Sequence, residues 1–197
     1  MALLSLPGAW DTGTQPPLLL VVRERLDPAS RVAYDRIETE IRRVCARWGC
    51  PNAYMGLTSA PHEVWWLTAW SSQEELDQAG ALYAGNPALM SRLAPLNARK
   101  RALTDEPTTT MAKAAGQAPF TLAGARFLTL IPAPRPPRAG GALYDLPDGQ
   151  RIALAASHAR PPRPPPGGVL LAIHPEWSLP PQALVSADPA FWEARPR

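Results

Sequence analysis

The chain has 197 residues, 46% of them hydrophobic, with 25 prolines and a formal net charge of +3. That length buries the core of one domain, or of one domain with a small appendage. A dispersed +3 with no basic run longer than Arg99-Lys100-Arg101 argues against a nucleic-acid partner, and the five-residue apolar run 18–22 argues against a membrane span.

Sixteen of the prolines follow Ala118. Residues 1–118 carry 12 basic and 12 acidic side chains, and residues 119–197 carry 8 and 5. The two cysteines, Cys45 and Cys50, have no zinc-knuckle spacing, and Cys45 falls on the apolar face of a helix, so a buried free thiol is expected. With no basic start before the short apolar stretch at residues 1–10, the expected compartment is a reducing cytoplasm.

Residues 1–17 read as a loose arm that Trp10 can anchor. Residues 18–25 form a first strand, which Arg23 and Glu24 interrupt at its end. Asp27-Pro28 opens a helix whose stripe is Ala33, Ile37, Ile41, Val44, Cys45 and Trp48, with Gly49 as its stop. Residues 52–59 and 63–70 are two antiparallel strands. Period-two alternation puts Val64, Trp66, Thr68 and Trp70 on one face and Trp65, Leu67 and Ala69 on the other. Ser72 with Glu75 has capping-box spacing and starts a helix over 73–84. Gly85-Asn86-Pro87 ends it and begins another, which Pro95 is expected to kink or split. Residues 104–116 read as irregular with a short helix near Met111, and 126–131 as the fourth strand. Beyond lie polyproline-like connectors, a hairpin around Pro147-Asp148-Gly149, a strand at 169–173, and a tail anchored by Trp177 and Phe191-Trp192.

Residues 18–131 thus spell strand, helix, strand, strand, helix, strand. With the strand-end run Trp70-Ser71-Ser72-Gln73-Glu74-Glu75-Leu76, this order resembles the dimeric α/β-barrel superfamily, and within it the antibiotic-biosynthesis-monooxygenase-like group. The resemblance implies an α+β fold: a ferredoxin-like βαββαβ domain over 18–131, after an arm at 1–17 and before a Pro-rich, β-containing extension at 132–197. It implies a homodimer pairing two sheets face to face, and a ligand held between sheet and helices. Members include cofactor-free quinol oxygenases and haem-degrading enzymes. The histidine often found in the second helix is missing from residues 77–83, and Leu67-Thr68-Ala69 stands where an acidic residue is common, so no cofactor is expected.

The expected ligand is small and apolar or aromatic. Trp66 and Trp70 would form its wall, Asn52, Tyr54 and Tyr83 would supply hydrogen bonds, and Arg23 and Glu24 would face the pocket mouth. The bland reading of both tryptophans is core packing. His174, Glu176 and His158 lack a helical ligand register, so no metal is expected. The function read from the sequence is a small-molecule enzyme or binding protein resembling cofactor-free monooxygenases. The alternative is a non-catalytic dimerisation or protein-interaction module.

Overall fold

The alternation at 18–25 and 63–70 becomes two paired strands at the centre of one half of a barrel. The computed structural model describes residues 9–11, 13–60, 62–133, 141–161, 163–164 and 166–193. Its strands are β1 (Leu18–Arg25), β2 (Tyr54–Ala60), β3 (Glu63–Trp70), β4 (Thr108–Ala114), β5 (Phe127–Pro132), β6 (Gly141–Asp145), β7 (Arg151–Ser157) and β8 (Val169–Leu179). Its helices are α1 (Arg31–Trp48), α2 (Gln73–Ala84), α3 (Pro87–Arg101), α4 (Gln182–Ala187) and α5 (Pro189–Trp192). No described helix is long and apolar enough to cross a membrane.

All eight strands close into one antiparallel barrel in the order β1-β3-β2-β8-β5-β7-β6-β4. This corrects the expected fold class. The chain is not a four-stranded βαββαβ domain carrying a β extension. The strand that completes the first half is β4, from the polar stretch read as irregular, and residues 126–131 supply β5 instead. The two halves, β4-β1-β3-β2 and β8-β5-β7-β6, repeat one strand order and meet at β2–β8 and β4–β6. Closure covers the apolar reverse face of β1–β4 from within the chain, which was the reason to expect a second subunit there. It also leaves no unpaired edge among the described strands.

The barrel interior is a packed core. Leu19 and Val21 of β1, Met55 and Leu57 of β2, and Leu67 and Ala69 of β3 meet Leu128, Leu130, Leu154, Leu171 and Ile173 from the other half. Trp10, Phe120, Leu122, Leu184 and Trp192 join the same cluster. Trp10 and Phe120 have ring centroids 6.3 Å apart, so the arm is anchored as expected.

The opposite faces of β1, β2 and β3 lie under the helices. Asp27 caps a short 3-10 turn, Pro28–Ser30, that feeds α1, with its Oδ1 accepting from Ala29 N–H at 2.9 Å. Gly49 ends α1 at φ 74°, a left-handed conformation that favours glycine. The buried stripe of α1 is Tyr34, Ile37, Glu38, Ile41 and Cys45, so Ala33, expected inside, is exposed and Glu38 is buried. α3 runs as one helix through Pro95, so the expected kink or split does not divide it. Cys45 and Cys50 form a disulfide, with Cα atoms 4.6 Å apart, which corrects the free thiol and removes the cysteine argument for a reducing compartment.

Candidate functional site

Alternation along β1 points Glu24 toward the helices, away from the barrel interior that receives Leu19 and Val21. Glu38 enters the same space from α1, and Lys100 from the last turn of α3. Glu24 is 5% exposed and Glu38 2%. The Lys100 Nζ lies 2.9 Å from Glu24 Oε1 and 2.9 Å from Glu38 Oε1. The second oxygen of Glu24 accepts from the Tyr34 hydroxyl and from Trp66 Nε1 at 3.0 Å. The ammonium also sits 4.7 Å from the Trp66 ring centroid.

One cation thus serves two buried carboxylates. Burial raises the Glu38 carboxyl above the usual range, and the nearby Lys100 only partly opposes this. Burial alone would lower the Lys100 ammonium, but Glu38 and Glu24 outweigh it and the net shift is upward. Ordinary burial of a lone ion would cost several kcal/mol, so each member of the group depends on the others.

The network opens onto a cleft of about 210 Å³ between the sheet and helices α1 and α3. Asn52, Tyr54, Trp66 and Thr68 line its sheet side, and Ile41, Glu38, Asn97 and Lys100 its helix side. Trp66 stands edge-on to Tyr54, with ring centroids 5.9 Å apart and an interplanar angle of 68°. The Tyr83 hydroxyl donates to Asn52 Oδ1 at 2.8 Å, which orients that amide.

Of the expected ligand residues, Trp66, Asn52 and Tyr54 therefore share one cleft, with Tyr83 bonded to Asn52 at its edge. Trp70 lies on the same sheet face but is buried and is not part of the cleft lining. Arg23 is on the opposite face. It donates from Nε to Glu63 Oε1 at 2.7 Å and lies 5.3 Å from the Trp65 ring centroid. Burial alone would raise Glu63, but hydrogen bonds from Ser59, Arg23 and Trp65 outweigh it and hold the carboxyl below its usual range.

Sequence reading placed Glu24 with Arg23 at a pocket mouth, and missed Tyr34, Glu38, Asn97 and Lys100 as parts of a site. A signal existed for three of them. The α3 stripe Leu89, Leu93, Leu96 continues at helical spacing to Lys100, and Tyr34, Ile37, Glu38, Ile41 is the matching run on α1.

Two further features lie outside the cleft. An apolar pocket of about 230 Å³ adjoins Val21, Trp65, Leu130 and Ile152. On the outer face, His174 Nδ1 lies 2.8 Å from Glu176 Oε1, its Nε2 lies 2.9 Å from Thr58 Oγ1, and its ring stacks on Trp177 at 4.1 Å. His158 is engaged elsewhere, with Nδ1 2.8 Å from the Gly124 carbonyl. Among the described residues no group of three or more His, Cys, Asp and Glu side chains is placed to hold a metal ion.

No protein-family model and no curated protein matches the chain. Among solved structures it is similar to a protein provisionally assigned as a monooxygenase from Lactobacillus acidophilus NCFM, with 6% identity, 80% of this chain and 94% of that chain covered, and a TM-score of 0.49. It is also similar to an anthrone oxidase-like protein, with 14% identity, 93% and 81% covered, and a TM-score of 0.37. At these values the likeness carries no functional weight, and function is argued from the geometry of the chain itself.

Proposed function

We propose that this chain binds a small phenolic ligand in the cleft between sheet and helices, and acts on it in the manner of a cofactor-free monooxygenase. One observation carries the reading: a carboxyl with a raised pKa, Glu38, stands beside the Lys100 ammonium at the wall of a cleft floored by Trp66 and Tyr54. A raised carboxyl is a better proton acceptor than a solvated one. Glu38 would take the phenol proton, and Lys100 would stabilise the phenolate. Phenolate reacts with dioxygen more readily than phenol does. In the net reaction a ring C–H and the phenolic C–OH both become C=O, giving a quinone, and the two hydrogens leave with the second oxygen atom as water. The cleft volume suits a single ring, since a cavity of about 150 Å³ admits benzene.

The test is thermal shift with a panel of single-ring phenols and hydroquinones, alongside dioxygen consumption. A ligand at about 100 times its Kd stabilises by about 2.7 kcal/mol, which is roughly 5–10 °C in a chain of this size. Asn97→Phe, a change on a half-buried helix position, should fill the cleft and abolish the shift. Glu38→Gln should retain binding and lose dioxygen consumption. Equal stabilisation of wild type and Asn97→Phe, or none in either, sinks the proposal.

The second reading is a non-catalytic interaction module, favoured by the cleft lying below the usual ligand-pocket range of about 300–1,000 Å³. In that reading Lys100 only pins α3 to the sheet, and no phenol shifts the melting temperature.

A further inference from the structure

α1 and α3 pack side by side and leave a groove of about 520 Å³ on their solvent side, separate from the cleft. Four arginines line it: Arg43 and Arg47 on successive turns of α1, and Arg92 and Arg99 two turns apart on α3. A single carboxylate, Glu40, stands among them. The formal charge of these lining residues is therefore +3, as large as that of the whole chain. Up to 56 positions separate these arginines in sequence, so no basic run betrays them; the helix pairing gathers them.

Like charges four residues apart on a helix, such as Arg43 and Arg47, repel. Neither is within ion-pair distance of a described carboxylate. Arg99 Nη1 is 3.8 Å from Glu40 Oε2, but both side chains are more than half exposed, and such a pair holds weakly. An incoming anion can compete for that guanidinium. Arg92 lies 4.0 Å from the Trp48 ring centroid, which fixes its plane while its edge N–H groups remain able to donate.

We infer that this groove binds a small molecule carrying several phosphate charges. Guanidinium forks match phosphate oxygens in pairs, and four of them around one groove need a dense anion to offset their repulsion. The groove is a single local pocket rather than a stripe that could follow a nucleic-acid backbone. Arg92 already lies against the Trp48 ring, so that indole offers no open platform for a base on that side. Recognition is therefore of the phosphates.

The test is titration calorimetry of the full chain with inorganic tripolyphosphate at low ionic strength. Saturable binding is expected, falling steeply with added salt. Arg43→Glu with Arg92→Glu, both exposed positions, should weaken it about tenfold or more. Arg163→Glu, an exposed arginine that does not line this groove, should leave it unchanged. Should the charge reversal lower the melting temperature, Arg43→Gln with Arg92→Gln must still weaken binding at least about threefold. Absence of binding, or equal loss in Arg163→Glu, overturns the inference. So does tighter binding of a short single-stranded oligonucleotide through the same arginines, which would make the groove a nucleic-acid surface.

Discussion

The two halves of the barrel have the same strand order and different cover. α2 and α3 lie over the half β4-β1-β3-β2 and α1 reaches from it onto the adjoining β8, whereas the connections β5–β6 and β7–β8 contain no helix among the described residues. The outward positions follow this difference. Under the helices the sheet presents Trp66, Trp70, Tyr54 and Glu24. The equivalent direction on the other half carries Thr129, Ala155 and Leu170. A sheet can hold a carboxylate at 5% exposure only if something above it brings a counter-charge, and α3 brings Lys100. The covered half thus has the material for chemistry, and the other half closes the wall.

Alkaline titration has the largest expected effect and reaches both halves. Tyr34, Tyr54 and Tyr83 belong to the covered half, and burial raises all three, Tyr83 to about 12 and the others further. Burial likewise raises Tyr144 in the barrel. The fold favours the neutral phenols, so their contribution is complete below the unfolded value of about 10 and is lost as pH rises through the folded values. Phenolate absorbance should stay flat past pH of about 10 and then rise together with loss of the circular dichroism signal. A tyrosine that titrates near 10 with the helices intact contradicts this.

Next in size is Lys100→Met, which strands two buried carboxylates. Chemical denaturation should show a loss of about 3–5 kcal/mol. Adding Glu24→Gln and Glu38→Gln should return part of it; if the triple variant is weaker still, the network is not what holds α3. A smaller loss, about 1–3 kcal/mol, is expected for Gly56→Ala. A Cβ there would stand 2.9 Å from the Trp66 ring and 3.1 Å from Trp177 Cβ, and neither indole can swing aside cheaply. On the other half, Ala155→Ser faces outward and should stay within about 0.5 kcal/mol of wild type. A comparable loss at residues 56 and 155 would erase the distinction between the halves.

Much of the covered half was legible because its signals are local. The Ser72 hydroxyl accepts from Glu75 N–H at 3.1 Å, and the Glu75 carboxylate returns to Ser71 N–H at 2.5 Å, close to the expected capping box. Asn86 caps α3 through Leu89 N–H at 3.0 Å. β4 was missed because five of its seven residues are Thr, Lys or Met, and no apolar alternation marks it. Barrel closure was missed because it rests on distant pairs such as Phe127 with Ala172 and Gly56 with His174, which no window of sequence contains. In the cleft, aromatic residues announced Trp66 and Tyr54. Glu38 and Lys100 were hidden because charge was read as exposure, although Lys100 continues the apolar stripe of α3.

The join between β4 and β6 consists of two residue pairs, Lys113 with Asp145 and Ala114 with Tyr144, whereas β1 and β3 share eight. Deuterium should therefore enter the backbone first along this short overlap, well before it reaches β1. The cylinder has a built-in place to part, and it lies far around the circumference from the β2–β8 junction, where α1 packs on β8.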